Sequence, residues 1–264
     1  MSENTILCQV DHRGVATVTL NRPDVHNAFD EALIESLSNT LGRLGLDEAV
    51  RVVVLCAGGK SFSAGADLRW MRRTAAYTDS ENLEDARRLA GLMSTLRRMG
   101  KPTVARVQGS AFGGGVGLVA CCDIVLASEN ARFALTEVKL GLIPAVISPY
   151  VSRAIGERQA RRYMLTGERF SAEEACRLGL VHEVVTESML DERVQKVTSM
   201  LLENGPGAMV AVKSLLERVS GGAVDEAMIE DTARRIAEVR AGAEGKEGVA
   251  AFLEKRKPRW TKRR

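Results

Sequence analysis

Gln108 to Lys139 reads QGSAFGGGVGLVACCDIVLASENARFALTEVK. It begins where an apolar, β-rich run, Thr103–Val107, ends, and it passes at once through three consecutive glycines, Gly113, Gly114 and Gly115. The pattern predicts a short apolar helix after them, then a strand over Ile124–Ser128, then an acid at Glu137. Glycines that open a helix behind a buried strand let a ligand approach the backbone, and the first helical turn offers N–H groups with no partner of their own. An acid just beyond can move a proton near whatever those N–H groups hold. The stretch therefore predicts an oxyanion hole with one carboxylate beside it.

A dinucleotide fingerprint is the competing reading, because Gly115–Val116–Gly117–Leu118–Val119–Ala120 fits G-x-G-x-x-A. Asp123 and the next strand follow within a few residues, however. A Rossmann helix has to run back along its sheet, which takes roughly ten residues or more. The predicted helix is too short, and the fingerprint is rejected.

Upstream, the fully apolar run Val50–Leu55 reads as a strand buried on both faces, and the small residues Ser63–Ala64–Gly65–Ala66 follow it. Asp67 then stands where an N-cap belongs, and capping is the preferred reading over catalysis. Two strand, small-residue loop, helix units thus recur, at 52–70 and 103–122, each with backbone N–H groups at a helix start.

At the N-terminal end, Ile6–Val10 and Val15–Leu20 flank a turn and predict a hairpin. Asp30 caps a helix with apolar residues at 33, 34, 37, 41 and 44. A polar helix over about 80–99 ends at Gly100 and Pro102. Ser148 and Pro149 are expected as N-cap and first residue of the next helix, which ends near Gly156; another covers 157–165. Ser171 with Glu174 is expected to form a capping box, and Val181–Val185 a short strand. Everything after Ser188 reads helical, broken at Gly205–Pro206 and Gly221–Gly222. The expected division is 1–200, carrying the site, and 201–264, helices that need a partner surface.

The bulk numbers exclude several classes. Hydrophobic content of 45% and charged content of 27% over 264 residues are ordinary for a globular chain, and a net charge of +3 does not suit a polyanion binder. Five cysteines without framework spacing point to reduced thiols, and Cys121 and Cys122 in an apolar helix read as packing. There is no signal-peptide pattern and no apolar run of roughly 20 residues, so a cytoplasmic protein off the membrane is expected. The last eleven residues, EKRKPRWTKRR, carry seven Lys or Arg. With one aromatic, Trp260, and no recognition module, they read as a solvated or subunit-contacting tail before a nucleic-acid site.

Several motifs, taken together and in order, resemble the enoyl-CoA hydratase/isomerase (crotonase) family over nearly the whole chain. They are Leu20–Asn21–Arg22–Pro23 with Asn27–Ala28, Ser61 to Asp67, the glycine triplet with Cys122–Asp123, Glu137 to Pro144, Ala175 with Gly179–Leu180–Val181, and Glu247–Gly248 with Ala251 to Arg256. The resemblance implies an α/β fold, a spiral of ββα repeats with a C-terminal helical part that builds trimers, often paired into hexamers. It implies an acyl-CoA thioester substrate, with no metal and no cofactor beyond the coenzyme A of the substrate itself. It assigns the N–H groups of Ala66 and Gly114 to the oxyanion hole. Arg22, His26, Ala28, Ala64, Asp67 and Leu68 would line the coenzyme A site, and Phe252 and Lys255 would reach the nucleotide of a neighbouring subunit.

One departure from the family pattern concerns the acids. Hydratases of this kind usually carry two glutamates, one of them two positions beyond the triple glycine. Here that position is Gly117, which leaves Glu137 alone. Gly117 is still placed among the substrate-binding positions, with a water on nearby backbone groups as a stand-in. A second departure, Ala145 to Tyr150 after Ile143–Pro144, resembles the bacterial 3-methylglutaconyl-CoA hydratases of leucine breakdown and their isoprenoid-type relatives. Such a substrate carries a second carboxylate, and Arg69, Arg72 and Arg73 are the candidate cations for it. The expected reaction interconverts 3-methylglutaconyl-CoA and 3-hydroxy-3-methylglutaryl-CoA. A single-acid enoyl-CoA isomerase is the runner-up.

Overall fold

The computed structural model describes residues 4–261. Along them run β1 (Ile6–Val10), β2 (Val15–Leu20), α1 (Glu31–Leu46), β3 (Val52–Ala57), β4 (Ser61–Ser63), α2 (Leu68–Thr74), α3 (Asp79–Arg98), β5 (Thr103–Val107), β6 (Ser110–Phe112), α4 (Gly114–Cys121), β7 (Ile124–Ser128) and β8 (Arg132–Ala134). A 3-10 turn at Glu137–Leu140 leads to α5 (Ser148–Thr166), β9 (Phe170–Ser171), α6 (Ala172–Leu178) and β10 (Glu183–Val185). Helices α7 (Leu190–Glu203), α8 (Pro206–Val219), α9 (Glu226–Ala241) and α10 (Ala243–Leu253) close the chain.

Six strands form one sheet in the order β1-β2-β3-β5-β7-β10, and four short ones form a second, β4-β6-β8-β9. After each long strand the chain crosses to the short sheet for three residues and then leaves it, as β3–β4–α2, β5–β6–α4 and β7–β8–turn. Each round advances both sheets by one strand. Val54 pairs with Val104, which pairs with Ile124; Ser63 pairs with Ala111, which pairs with Phe133. This is the expected spiral of ββα repeats.

The buried pattern explains why the layers stack. All six residues of β3 are buried, so the strand packs on both faces. On one side lies the main core, including Leu33, Ile34, Leu37, Leu41 and Leu44 of α1, the five apolar positions read from the sequence. On the other side α7 lays Leu190, Val194 and Val197 over Val15, Val52, Val54, Val104 and Leu126. Residue 200, the expected division, falls inside α7, while α8, α9 and α10 pack on one another. Lys213 pins α8 to the core, donating to the Lys101 carbonyl at 3.1 Å and to Asp123 Oδ2 at 2.6 Å.

Some local expectations are corrected. Ser148 does not cap α5; its hydroxyl donates to the Ala145 carbonyl, and Ile147 is the cap residue. Gly156, as expected, breaks that helix in two with a φ of 76°. Ser171 accepts from the Glu174 N–H, but the Glu174 carboxylate turns to Tyr163 and Arg177, so the capping box is half made. A full box stands elsewhere, Thr78 with Glu81 at the start of α3. The tail is folded on: the Trp260 indole donates to the Glu203 carbonyl at 3.0 Å, and Arg256 and Arg259 pair with Glu247. Its only aromatic is therefore already engaged, while Lys262, Arg263 and Arg264 lie outside the described residues. Among the described residues no helix is long and apolar enough to cross a membrane.

Candidate active site

Three successive rounds of the spiral end at the same place. Ala66 follows β4 by three residues, Gly114 follows β6 by two, and Glu137 follows β8 by three. Because β4, β6 and β8 are parallel neighbours, their exits lie side by side on one edge of the short sheet. The topology thus gathers one loop amide, one helix-start amide and one acid from a span of 71 residues in sequence (137 − 66).

Backbone geometry sets the two amides. Phe29 forms a parallel bridge to Ala66: its N–H donates to the Gly65 carbonyl at 2.7 Å, and the Asp67 N–H donates to its carbonyl at 2.8 Å. Those bonds use the groups flanking Ala66 and leave its own N–H without an acceptor among the described residues. Gly113 adopts φ 50° and ψ −118°, a conformation open essentially to glycine, and its N–H is tied to the Ala134 carbonyl. That turn starts α4 at Gly114, whose N–H also finds no acceptor among the described residues. The loops touch: a Cβ built on Gly65 would lie 3.3 Å from the Phe112 carbonyl oxygen, and one built on Gly113 would lie 4.0 Å from Gly65 Cα. Two unpartnered donors at adjoining strand exits, one at a helix N-terminus, can hold an oxygen that gains negative charge.

Glu137 completes the group. A Cβ built on Gly113 would lie 3.1 Å from its Oε1, so the carboxylate rests directly on the glycine turn. Its Oε2 is buried and has no hydrogen-bond partner among the described residues. Burial pushes the carboxyl above its ordinary value, opposed only by a bond from its own N–H. A half-buried carboxylate with a free oxygen and raised basicity, beside an oxyanion site, is equipped to exchange a proton with a carbon next to a carbonyl.

Residues 11–263 match the family described as "Enoyl-CoA hydratase/isomerase". The chain belongs to that family. Among solved structures, an enoyl-CoA hydratase from Shewanella pealeana superposes with a TM-score of 0.94 at 48% identity, covering 97% of this chain and 96% of its own. Among curated relatives, the 2,3-dehydroadipyl-CoA hydratase of Escherichia coli is 34% identical, over 92% of this chain and 94% of its own. The mevalonyl-coenzyme A hydratase sidH of Aspergillus fumigatus is 36% identical, over 93% of this chain and 91% of its own.

Within this enoyl-CoA hydratase/isomerase fold the remaining sequence-predicted positions separate into distinct groups. Ala64, Ala66, Leu68 and Arg69 are exposed around the Ala66 loop, and Leu68 is 74% exposed although apolar. His26 is exposed in the left-handed region at φ 53°, its Nδ1 3.1 Å from Ser61 Oγ. The side chains of Arg22 and Asp67 are engaged within the chain. Arg22 donates to the Ala28 carbonyl at 2.6 Å and lies 2.9 Å from both Asp67 and Asp30, the caps of α2 and α1. Burial alone would raise the Asp67 carboxyl; the Arg69 and Trp70 N–H groups and Arg22 outweigh it and hold the carboxyl below its ordinary value. Asp67 is thus a helix cap, as the sequence preferred. Arg73 is paired with Glu31 at 2.5 Å, whereas Arg69 and Arg72 are exposed with no ion-pair partner among the described residues. Phe252, 82% exposed, and Lys255 sit at the far end of α10, which packs on α8 and α9. Gly117 is buried, and the space a side chain would need there is filled by Ile147 and Met93.

Asn27 matters more than its place in a motif suggested. It is fully buried at φ 54°, accepts from the Arg22 N–H at 2.8 Å, and donates to the Gly58 and Ser61 carbonyls at 2.8 and 2.9 Å. Asparagine tolerates that backbone, and its amide ties three segments under the Ala66 loop. The readable signal was an Asn just after a Pro-initiated turn. Asn27→Ala should cost about 2–4 kcal/mol in urea unfolding, because the Gly58 carbonyl and the Arg22 N–H are stranded in the interior, while the Ser61 carbonyl keeps only the Gln108 amide at 3.2 Å. A loss below about 1 kcal/mol would mean that water replaces the amide.

Proposed function

We propose that this chain is a hydratase for a short enoyl-CoA that carries a β-methyl branch and a second carboxylate, interconverting 3-methylglutaconyl-CoA and 3-hydroxy-3-methylglutaryl-CoA. The observation that carries the proposal is the pair of unpartnered N–H groups, Ala66 and Gly114, beside the unpartnered carboxylate oxygen of Glu137. In hydration the thioester oxygen rests on the two N–H groups. Water attacks the β-carbon while Glu137 takes one of its protons, and the double-bond electrons move onto the thioester oxygen. As the carbonyl re-forms, Glu137 returns that proton to the α-carbon. One water is consumed and the carboxylate is restored, so a single acid suffices.

Support for the substrate comes from two directions. One relative acts on a mevalonyl thioester, an acyl group with a methyl on its β-carbon, and another on an adipyl chain, which ends in a carboxylate. In this chain Arg69 stands three residues beyond Ala66 without an ion partner among the described residues, and it is the cation we assign to the substrate carboxylate. Arg69→Ala should raise KM for 3-methylglutaconyl-CoA roughly 10–100-fold, the worth of one charge-assisted bond, and leave 3-methylcrotonyl-CoA unchanged. Equal losses on both substrates would remove Arg69 from that role.

Turnover of 3-methylglutaconyl-CoA beside crotonyl-CoA, with products resolved by mass, tests the reading. A gain of one water, with preference for the branched acidic substrate, supports it. The packing of Ile147 on Gly117 favours one second reading, a single-acid isomerase, since it leaves no room there for a water-activating group. A product of unchanged mass from a 3-enoyl-CoA would select that reading. The exposed apolar residues of α8 to α10, Leu216, Ile229, Ile236 and Phe252 among them, we assign to contacts with further copies in a trimer or pair of trimers.

A further inference from the structure

Each of the two free N–H groups belongs to a peptide whose carbonyl is already fixed. The Ala66 N–H shares its peptide with the Gly65 carbonyl, which accepts the Phe29 N–H at 2.7 Å. The Gly114 N–H shares its peptide with the Gly113 carbonyl, which accepts the Gly117 N–H at 3.2 Å. In a trans peptide the C=O and N–H bonds point opposite ways, so each carbonyl bond aims the N–H across the plane from it. It also polarises that N–H and strengthens it as a donor. Direction is thus settled within each loop. Separation is not, because the donors lie 48 residues apart in sequence (114 − 66) and must meet at one oxygen.

Phe29 touches both loops. Its backbone bridges Ala66, giving its N–H to Gly65 and taking the Asp67 N–H at 2.8 Å. Its ring lies against Gly114, where a Cβ would stand 3.2 Å from Cε2, 3.4 Å from Cδ2 and 3.6 Å from Cζ. The Gly114 Cα carries the donor nitrogen, so what stops that carbon also stops the N–H. Phe29 is itself anchored on either side. Arg22 donates to the Ala28 carbonyl at 2.6 Å and pairs with Asp30 at 2.9 Å. The ring is 1% exposed, and close packing denies it another seat.

We propose that Phe29 is a positioning residue of this site: its backbone registers the Ala66 donor, and its ring sets how closely the Gly114 donor approaches it. The proposal rests on the oxyanion reading of those two N–H groups, and it holds for hydration and isomerisation alike. The two roles of Phe29 are separable, since a smaller side chain keeps the bridge and frees α4 to shift. Ser63 packs on Gly115 beside it and limits that shift. The loss should therefore stay below that of a deleted donor, while a misplacement of about 1 Å can still cost roughly 10²-fold.

The test uses full-length Phe29→Leu. Leu41→Ala is the control for lost packing, at a fully buried α1 residue about three turns farther along the helix. On the better of crotonyl-CoA and 3-methylglutaconyl-CoA, Phe29→Leu should lower kcat about 10–100-fold and keep KM within about threefold. The second reading is the infrared stretch of bound butyryl-CoA, isotope-labelled at its thioester carbonyl, which undergoes no turnover. In the wild type that stretch should fall below its value in water, because two fixed donors draw charge onto the oxygen. Phe29→Leu should lose about half of the fall or more, whereas Leu41→Ala should keep it while melting earlier. A wild-type carbonyl that is not lowered would bring down the oxyanion reading, and the role of Phe29 with it. A lowered carbonyl that Phe29→Leu leaves in place, or a kcat loss that Leu41→Ala reproduces, would overturn the role of Phe29 alone. If Phe29→Leu failed to fold, Phe29→Met would carry the same readings with the same outcomes.

Discussion

Glu137→Gln is expected to bind acyl-CoA as the wild type does and to lose about 10²–10⁴ of kcat, the usual worth of one positioned acid or base. The loss should fall in the upper half of that range, because Glu137 handles both proton transfers and Gly117 supplies no second group. Gln keeps the shape that rests on Gly113 and removes only the exchangeable proton. KM should therefore move little, and a change confined to KM would place Glu137 in binding instead. The same substitution should leave the protein no less stable at pH 7. The Glu137 carboxyl is raised by burial, so charging it costs the folded state more than the unfolded chain. That cost is absent below the unfolded value, grows as pH rises through the folded one, and is then fully present. The melting temperature of Glu137→Gln should equal or exceed that of wild type at pH 7, and the gap should close as pH falls below the unfolded carboxyl value. The acid limb of kcat/KM should likewise lie above the ordinary glutamate range, since a protonated Glu137 cannot accept a proton from water. A drop in activity with a drop in melting temperature would mark Glu137 as structural.

Most of the spiral was legible because its rounds are written in local patterns. An apolar strand, a run of small residues and a capped helix are short-range signals, and they recur at 52–70 and 103–122. The third round was harder to see, since after β8 it ends in a 3-10 turn where a helix stood before. That Ala66, Gly114 and Glu137 occupy equivalent exits of three rounds required the strand pairing of the short sheet, whose strands are two or three residues long and carry almost no pattern of their own. Side chains that act across the fold were the least legible. Nothing local shows that the Arg22 guanidinium pairs with Asp30 and Asp67, 8 and 45 residues away. Glu174 satisfied the capping-box spacing, but Arg177 and the Tyr163 hydroxyl outcompete a backbone N–H for its carboxylate. What fills the space beside Gly117 was illegible for the same reason: Ile147 comes from 30 residues downstream, and nothing local announces it.

Replacing the backbone amide of Ala66 by an ester, with lactic acid at position 66, is expected to lower kcat by about 10²–10³, and glycolic acid at position 114 should do the same. These are the cleanest probes of the site, because each removes one N–H and no side chain. Side-chain changes cannot do this. Gly114 lies against the Phe29 ring, 3.2 Å from where a Cβ would sit, and Gly113 holds φ 50° against the Glu137 carboxylate. Any residue larger than glycine would disturb packing or the acid along with the donor. The loss should appear in kcat, since the thioester oxygen carries little charge in the bound substrate and nearly a full one in the enolate, and a fixed donor gains strength with that charge. Binding of acetyl-CoA should change by less than about threefold. The ester at 66 keeps the Asp67 N–H bond to the Phe29 carbonyl but turns the Gly65 carbonyl, which accepts the Phe29 N–H, into a weaker ester acceptor, so a modest fall in melting temperature is expected there. A kcat loss at both positions in variants that stay folded at the assay temperature would tie the activity to those two hydrogens. A kcat within about threefold of wild type in both variants would mean that the negative charge is held elsewhere, and the role assigned to the two strand exits would fall with it.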